Sequence, residues 1–191
     1  MTYPDLYILR HGETVWNRAG RMQGHLNAPL TELGRDQARR QGQVLQGRDL
    51  TDFGFWTSPL MRAVETAGLA LAAVAVEVRT DDRLREIDVG DWQGRLRAEF
   101  EPHDPSAAHP SPDGDLAIYA RAPGEGLQAV ADRARAFLDD LDRPAVVVCH
   151  GIVSRMLRCA ALGLDTAAWT DLPGGQGNVF HLSGGRMEEL R

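Results

Sequence analysis

The chain contains no lysine at all: each of its 21 basic residues is arginine. That absence excludes a lysine Schiff base and the phosphate-gripping lysine of a P-loop. Any anion bound here has to be held by arginine, histidine, backbone N–H groups or helix ends. Cysteine is almost as scarce, with only Cys149 and Cys159. Two cysteines build neither a disulfide framework nor a cysteine-rich metal site, and both are expected to be free thiols with packing roles. No apolar run reaches the length of a membrane span. Residues 1–10 lack the basic start, long apolar stretch and small-residue cleavage site of an export signal, so a cytoplasmic location is expected. A net charge of -6 argues against a nucleic-acid surface, which needs a basic stripe, and favours a small-molecule partner.

What is present is an ordinary globular composition, 43% hydrophobic and 25% charged over 191 residues, enough for one α/β domain with a real core. Runs rich in β-branched and aromatic residues at 6–9 (LYIL), 53–56 (FGFW), 74–78 (VAVEV) and 145–149 (AVVVC) read as buried strands. Helical patterning fills the intervals. Thr31 is a plausible N-cap for a helix over 31–47 whose inner face carries Leu33, Ala38, Val44 and Leu45. Further helices are predicted at 60–72, 127–141 and 152–163. Strands alternating with helices predict an α/β fold with a mainly parallel sheet covered on both faces and right-handed crossovers. Residues 101–115, EPHDPSAAHPSPDGD, read as an exposed loop placed where a lid could sit.

In open α/β sheets ligands bind beyond the carboxyl ends of the strands, so the residues just after each run are the informative ones. Arg10 and His11 follow the first run, Ser58 and Arg62 the second, and His150 and Gly151 the fourth. Two histidines and two arginines at one sheet edge make a cationic cluster that an anion would stabilise, and arginine forks match phosphate oxygens. The helix after His150 adds oriented N–H groups. Gly12 and Gly151 either allow close approach or serve a turn.

Plainer readings exist for several of these residues. Arg10 and His11 could be a polar strand end, Arg62 a surface arginine paired with Glu65, and Glu86 a strand charge like its neighbours Arg85 and Asp88. Ser154 lies in CHGIVSR, which is not a nucleophile elbow. His25, His103 and His109 read as surface or pocket-rim residues and His181 as part of a late strand; with Asp104 they show no metal-ligand spacing. Cys149 should point away from His150, because strand neighbours face opposite sides. The four tryptophans, Trp16, Trp56, Trp92 and Trp169, read as packing.

Four motifs in order, LRHGETVWN, SPLMRAVETA, LREIDVGDWQG and VVVCHG, resemble the histidine phosphatase superfamily, which includes the phosphoglycerate mutases. The resemblance runs from about Tyr3 to Leu182 and is weakest over 101–115. It implies a three-layer α/β/α sandwich forming one domain over 1–191, with a lid loop at 101–124. It also implies a metal-independent phosphomonoesterase with no cofactor. His11 would take the phosphoryl group. Arg10, Arg62 and His150 would clamp it, with Asn17 lining the pocket, Gln23 and Gly24 bordering substrate, and Glu86 as proton donor. Neutral imidazole can attack phosphorus in line, and arginines with a protonated His150 would stabilise the equatorial oxygens. Glu86 has to be protonated to serve the leaving oxygen, and bound phosphate favours that form.

Glu125 resembles the glutamate of the family's Gly-Glu-Ser element, with Gly126 in place of serine; Gln93 and Asn27 replace a frequent glutamate and aspartate. The implied partner is a small phosphorylated metabolite. Two alternatives remain: mutase-type transfer and a non-catalytic phospho-ligand module. The family's cofactor-dependent mutases carry a basic insert after the catalytic glutamate, whereas Ala98 to Ala131 holds one arginine, Arg121, which favours hydrolysis. An exposed helix face and a dimer face look alike in one sequence; a homodimer is the assembly we lean toward.

Overall fold

The computed structural model describes residues 3–100 and 116–191. Six strands form one sheet: β1 (Leu6–Arg10), β2 (Gly54–Thr57), β3 (Arg79–Thr80), β4 (Ala145–Cys149), β5 (Val179–Ser183) and β6 (Arg186–Leu190). Their order is β3-β2-β4-β1-β5-β6. The first four in that order are parallel, while β5 runs antiparallel to β1 and β6 antiparallel to β5. The sheet is therefore mixed and mostly parallel.

β1 and β4 are apolar at every buried position because both faces are covered. Leu6, Ile8, Ala145, Val147 and Cys149 enter one core with side chains of α4 (Leu127–Asp139) and α5 (Gly151–Leu162). Tyr7, Leu9, Val146 and Val148 enter the other, against α2 (Glu32–Gln46) and α3 (Met61–Ala70). The two-residue alternation of a strand thus divides each segment between two cores, and the result is the expected α/β/α sandwich. No helix among the described residues is long and apolar enough to cross a membrane.

Two expectations need correction, and a third lies largely beyond the described residues. The apolar 74–78 run is not a strand: the amides of Val74 and Ala75 bond to the Leu71 carbonyl as α3 ends, and pairing with β2 is confined to Arg79 and Thr80. Val76 is left fully exposed. On α2 the buried face is Gly34, Ala38, Gln41, Gly42 and Leu45, with Leu33 45% exposed. Thr31 does cap the helix, accepting from the Gly34 amide. The 101–115 part of the expected lid lies outside the described residues, with His103, Asp104 and His109. Its continuation, Leu116–Arg121, is a 3-10 helix with Leu116 and Ile118 buried in the first core.

Candidate active site

Parallel register brings the ends of β1, β2 and β4 together. Arg10 pairs with Cys149, the His11 amide bonds to the Cys149 carbonyl at 2.9 Å, and the Ser58 amide to the Val148 carbonyl at 2.9 Å. The residue after each strand is thereby locked beside its neighbour. The rings of His11 and His150 lie 5.1 Å apart at 59°.

His11 Nδ1 lies 2.8 Å from the Gly12 carbonyl. A carbonyl only accepts, so Nδ1 carries the proton and Nε2 keeps its lone pair. Burial, then the charges of Arg62 and Arg10, hold the ring well below its ordinary pKa, so it is neutral. The loop around it is pinned from three sides. The Gly12 amide donates to Thr66 Oγ1 at 3.0 Å, and that hydroxyl donates to the Arg62 carbonyl. Gln41 Nε2 donates to the carbonyls of Arg10 and Asn178. A Cβ on Gly12 would come within 2.1 Å of the Gly34 carbonyl oxygen, so glycine there serves the close approach of loop and α2.

Arg62, at the start of α3, is 1% exposed and does not pair with Glu65, which instead holds Arg35. Its terminal nitrogens donate to the carbonyls of Leu26 and Gly24, both at 2.8 Å, and its buried Nε has no partner among the described residues. Burial lowers its pKa to about 10, Glu86 opposing and Arg10 adding to the fall, so it stays charged. The arginine is therefore fixed in place by backbone it shares with the 24–26 segment.

His150 is wholly buried, with Nε2 2.7 Å from Ser58 Oγ and Nδ1 without a partner among the described residues. Burial, followed by the Arg62 charge, the neighbouring His11 ring and the Arg10 charge, holds it well below its ordinary pKa. The protonated His150 expected from sequence is thus not the state of the free site; a bound anion would have to bring the proton with it. Cys149 points into the core as expected, and burial with the Glu86 charge pushes its thiol up to about 12.

Glu86 arrives on the loop that follows the 3-10 turn Asp82–Leu84. Its carboxylate accepts from the amides of Ile87 (3.0 Å), Ile152 (3.2 Å) and Val153 (3.3 Å). Two of the α5 donors expected to meet an anion are therefore already taken by the Glu86 carboxylate. Gly151 leaves room at the same helix end: a Cβ there would press on the Arg10 guanidinium at 3.3 Å.

What sequence reasoning missed is the support behind Glu86. Arg133 of α4 donates to the carbonyls of Arg83 (2.5 Å), Arg85 (2.6 Å) and Glu86 (3.2 Å), and forms a two-pronged pair with Glu125. Glu125 Oε1 also accepts from the Asp88 amide at 2.9 Å, and His25 Nε2 lies 2.8 Å from the Glu86 carbonyl. Nothing at Arg133 sets it apart in sequence from other helix arginines.

A pocket of about 410 Å³ opens over these residues, lined in part by Arg10, Asn17, Glu86 and Gly151. His11, Arg62 and His150 are buried rather than part of its lining. Asn17 Oδ1 accepts from the Thr14 amide and from Gln176 Nε2. Gln23 and Gly24 do not line the pocket: Gln23 Oε1 meets the Thr14 hydroxyl, and the Gly24 carbonyl is spent on Arg62. A larger hollow of about 610 Å³ lies beside the start of β2, near Arg48 and Phe53, and holds none of the predicted residues. Among the described residues no three His, Cys, Asp or Glu side chains group as metal ligands.

An imidazole with an unprotonated nitrogen and a buried arginine, set beneath a pocket lined by a second arginine and a carboxyl group, could together carry phosphoryl transfer. Residues 6–188 match the histidine phosphatase superfamily (branch 1), and the chain belongs to that family. It is a metal-independent phosphomonoesterase of the histidine-phosphatase type, acting on a small phosphorylated metabolite. The chain is 38% identical over 187 residues to the glucosyl-3-phosphoglycerate phosphatase of Mycobacterium tuberculosis, covering 91% of this chain and 82% of that one. It is 34% identical over 172 residues to phosphoserine phosphatase 1 of Hydrogenobacter thermophilus, covering 84% and 77%. Among solved structures it resembles mycobacterial glucosyl-3-phosphoglycerate phosphatase in complex with VO3, with a TM-score of 0.79, 36% identity and coverage of 98% and 96%.

Proposed function

We propose that His11 Nε2 attacks the phosphorus of a small phosphomonoester, forming the P–N bond as the P–O bond to the leaving group breaks. Glu86 gives its proton to the departing oxygen. Water then attacks the phosphohistidine, loses a proton to Glu86 and releases phosphate, returning His11 to its neutral form. Arg10, Arg62 and His150 hold the phosphoryl oxygens, and Asn17 lines their approach. Gln23 and Gly24 act from behind, through Thr14 and Arg62. The observation that carries this reading is the His11 Nδ1 contact with the Gly12 carbonyl, which leaves Nε2 free beside two arginines.

The reading takes residues 1–191 as one domain working as a cytoplasmic homodimer, for which sedimentation is the check. It gives nucleic acid no part, in line with the net charge of -6. The relatives named for glucosyl-3-phosphoglycerate and phosphoserine make those two esters the first to test.

Phosphate release from an aryl phosphate, compared between wild type and His11→Ala, tests the mechanism. We expect loss of nearly all activity in the variant, and an acid-labile phosphoryl label trapped on wild type but not on the variant. Equal rates would remove His11 from the mechanism, and transfer to a sugar-acid acceptor faster than phosphate release would make the protein a mutase.

A further inference from the structure

Asn17 and Gln176 stand 159 positions apart in the chain and meet in the wall of the pocket, which both of them line. Asn17 belongs to α1 (Val15–Arg18), a helix of four residues, too short to persist without outside contacts. Its Oδ1 faces three donors: the Thr14 amide (3.1 Å), the Thr14 hydroxyl (3.0 Å) and Gln176 Nε2 (2.9 Å). The Thr14 hydroxyl has a single hydrogen and also faces Gln23 Oε1 at 3.1 Å, so the two steady donors are the Thr14 amide and Gln176. Turning the Asn17 amide over would set its own N–H groups against those donors. Nδ2, which makes no hydrogen bond among the described residues, is therefore the atom left for the pocket.

Gln176 is carried to that contact by a loop anchored at both ends. At its start, Arg155 and Arg158 of α5, each 1% exposed, donate to the carbonyls of Leu172 and Pro173. At its end, Gln41 Nε2 of α2 donates to the Asn178 carbonyl at 3.0 Å and to the Arg10 carbonyl at 2.9 Å, while Asn178 Nδ2 closes back on the Gly174 carbonyl at 3.2 Å. Between these anchors Gly175 and Gly177 take φ of 102° and 84°, a turn that side chains rarely adopt. Gln37, one turn before Gln41, lies against Gly177 and accepts from the Glu13 amide at 2.8 Å. Through these two glutamines α2 fastens the loop after β1 and the loop before β5 into one hydrogen-bonded unit, and Gln176 is ordered before any ligand arrives.

We propose that Gln176 is a positioning residue for phosphoryl binding: by holding Asn17 Oδ1 it keeps Asn17 Nδ2 turned toward the phosphoryl oxygens. A carboxamide has one donor end and one acceptor end, and only the donor end stabilises an anion, so the partner that fixes its orientation decides the sign of the contact. The proposal rests on the reading of Asn17 as lining the approach of the phosphoryl group.

Gln176→Met tests it, because methionine keeps the length of the side chain and removes the donor. The first readout is the Kd of inorganic phosphate for the whole protein by calorimetry, and the second is hydrolysis of one aryl and one alkyl phosphate. We expect Kd to rise roughly fivefold and kcat/KM to fall alike on both esters, the effect of one hydrogen bond, with the melting temperature unchanged. Made in an Asn17→Ala background, the same substitution should shift the phosphate Kd by less than about twofold, since the group it positions is gone. Equal losses in the two backgrounds, or none in either, would overturn the proposal, and a loss confined to one ester would make Gln176 a leaving-group contact instead. Unaltered phosphate binding by Asn17→Ala would overturn the reading of Asn17 itself. A wild type that binds phosphate yet hydrolyses neither ester would count against the His11 mechanism, with the Kd values still deciding the role of Gln176.

Discussion

Ser58 Oγ lies 2.7 Å from His150 Nε2, and both residues are fully buried at the ends of adjacent strands. The Leu60 amide occupies one lone pair of the hydroxyl at 3.3 Å, leaving its hydrogen for Nε2. That arrangement places the imidazole proton of the neutral ring on Nδ1, the nitrogen without a partner among the described residues, where it can donate to a phosphoryl oxygen.

Replacing Ser58 with alanine should therefore release the tautomer as well as cost stability. We expect kcat/KM on an aryl phosphate to fall about tenfold, with inhibition by inorganic phosphate weakened alike, for the loss of one buried hydrogen bond. Nitrogen-15 shifts of the His150 ring give the decisive readout. An unchanged Nδ1–H tautomer in an equally active variant would show that Ser58 only fills space.

The Arg133–Glu125 pair makes a second prediction. Arg133 ties three carbonyls of the 83–86 stretch to α4, so Arg133→Ala frees the loop that carries Glu86. The loss should depend on the leaving group. An alkyl phosphate, whose leaving oxygen needs a proton, should slow by about tenfold or more, and an aryl phosphate by much less. Equal slowing of both would place the effect in phosphate binding rather than in the acid. Unfolding should become easier by about 1–3 kcal/mol, since the pair is only partly exposed and Glu125 loses its partner.

Stability should fall in mild acid for a reason specific to the site. His11 and His150 are both held well below the ordinary value of 6.5, chiefly by burial, so between pH 6.5 and their lowered values the unfolded chain binds protons that the folded one does not. Stability is then fully present above about pH 6.5 and lost as pH drops, with a limiting slope of about 1.4 kcal/mol per pH unit for each ring. Denaturant midpoints between pH 7.5 and 5 measure it. His150→Gln should show a shallower fall than wild type, and an identical fall would mean that His150 is charged in the folded protein.

Much of the site could be read from sequence because it lies where buried strands stop. LYILRH and AVVVCH each place a histidine one residue past an apolar run, and register then needs only the parallel pairing of β1 with β4 to bring the rings together. Glu86 could be found only through the Leu-x-Glu motif, since no strand carries it. The 74–78 run misled because β-branched composition alone cannot tell a strand from the exit of a helix; the turn after α3 used its first residues. The late hairpin partner β6 went unread, its RMEEL sequence having only a weak alternation to mark it.

The sequence by itself determined which chemical groups are available: arginine in place of lysine, histidines at strand ends, and an apolar alternation that commits β1 and β4 to the centre of a covered sheet. Tertiary structure decided the state of those groups. Gly12 sets the proton on His11, Ser58 faces His150 across 92 positions of chain, and Arg133 reaches back 47 to 50 positions to hold the loop of Glu86. Tautomer, charge and orientation are fixed by partners within hydrogen-bonding distance and by the exclusion of water, and both arise only when remote segments pack together.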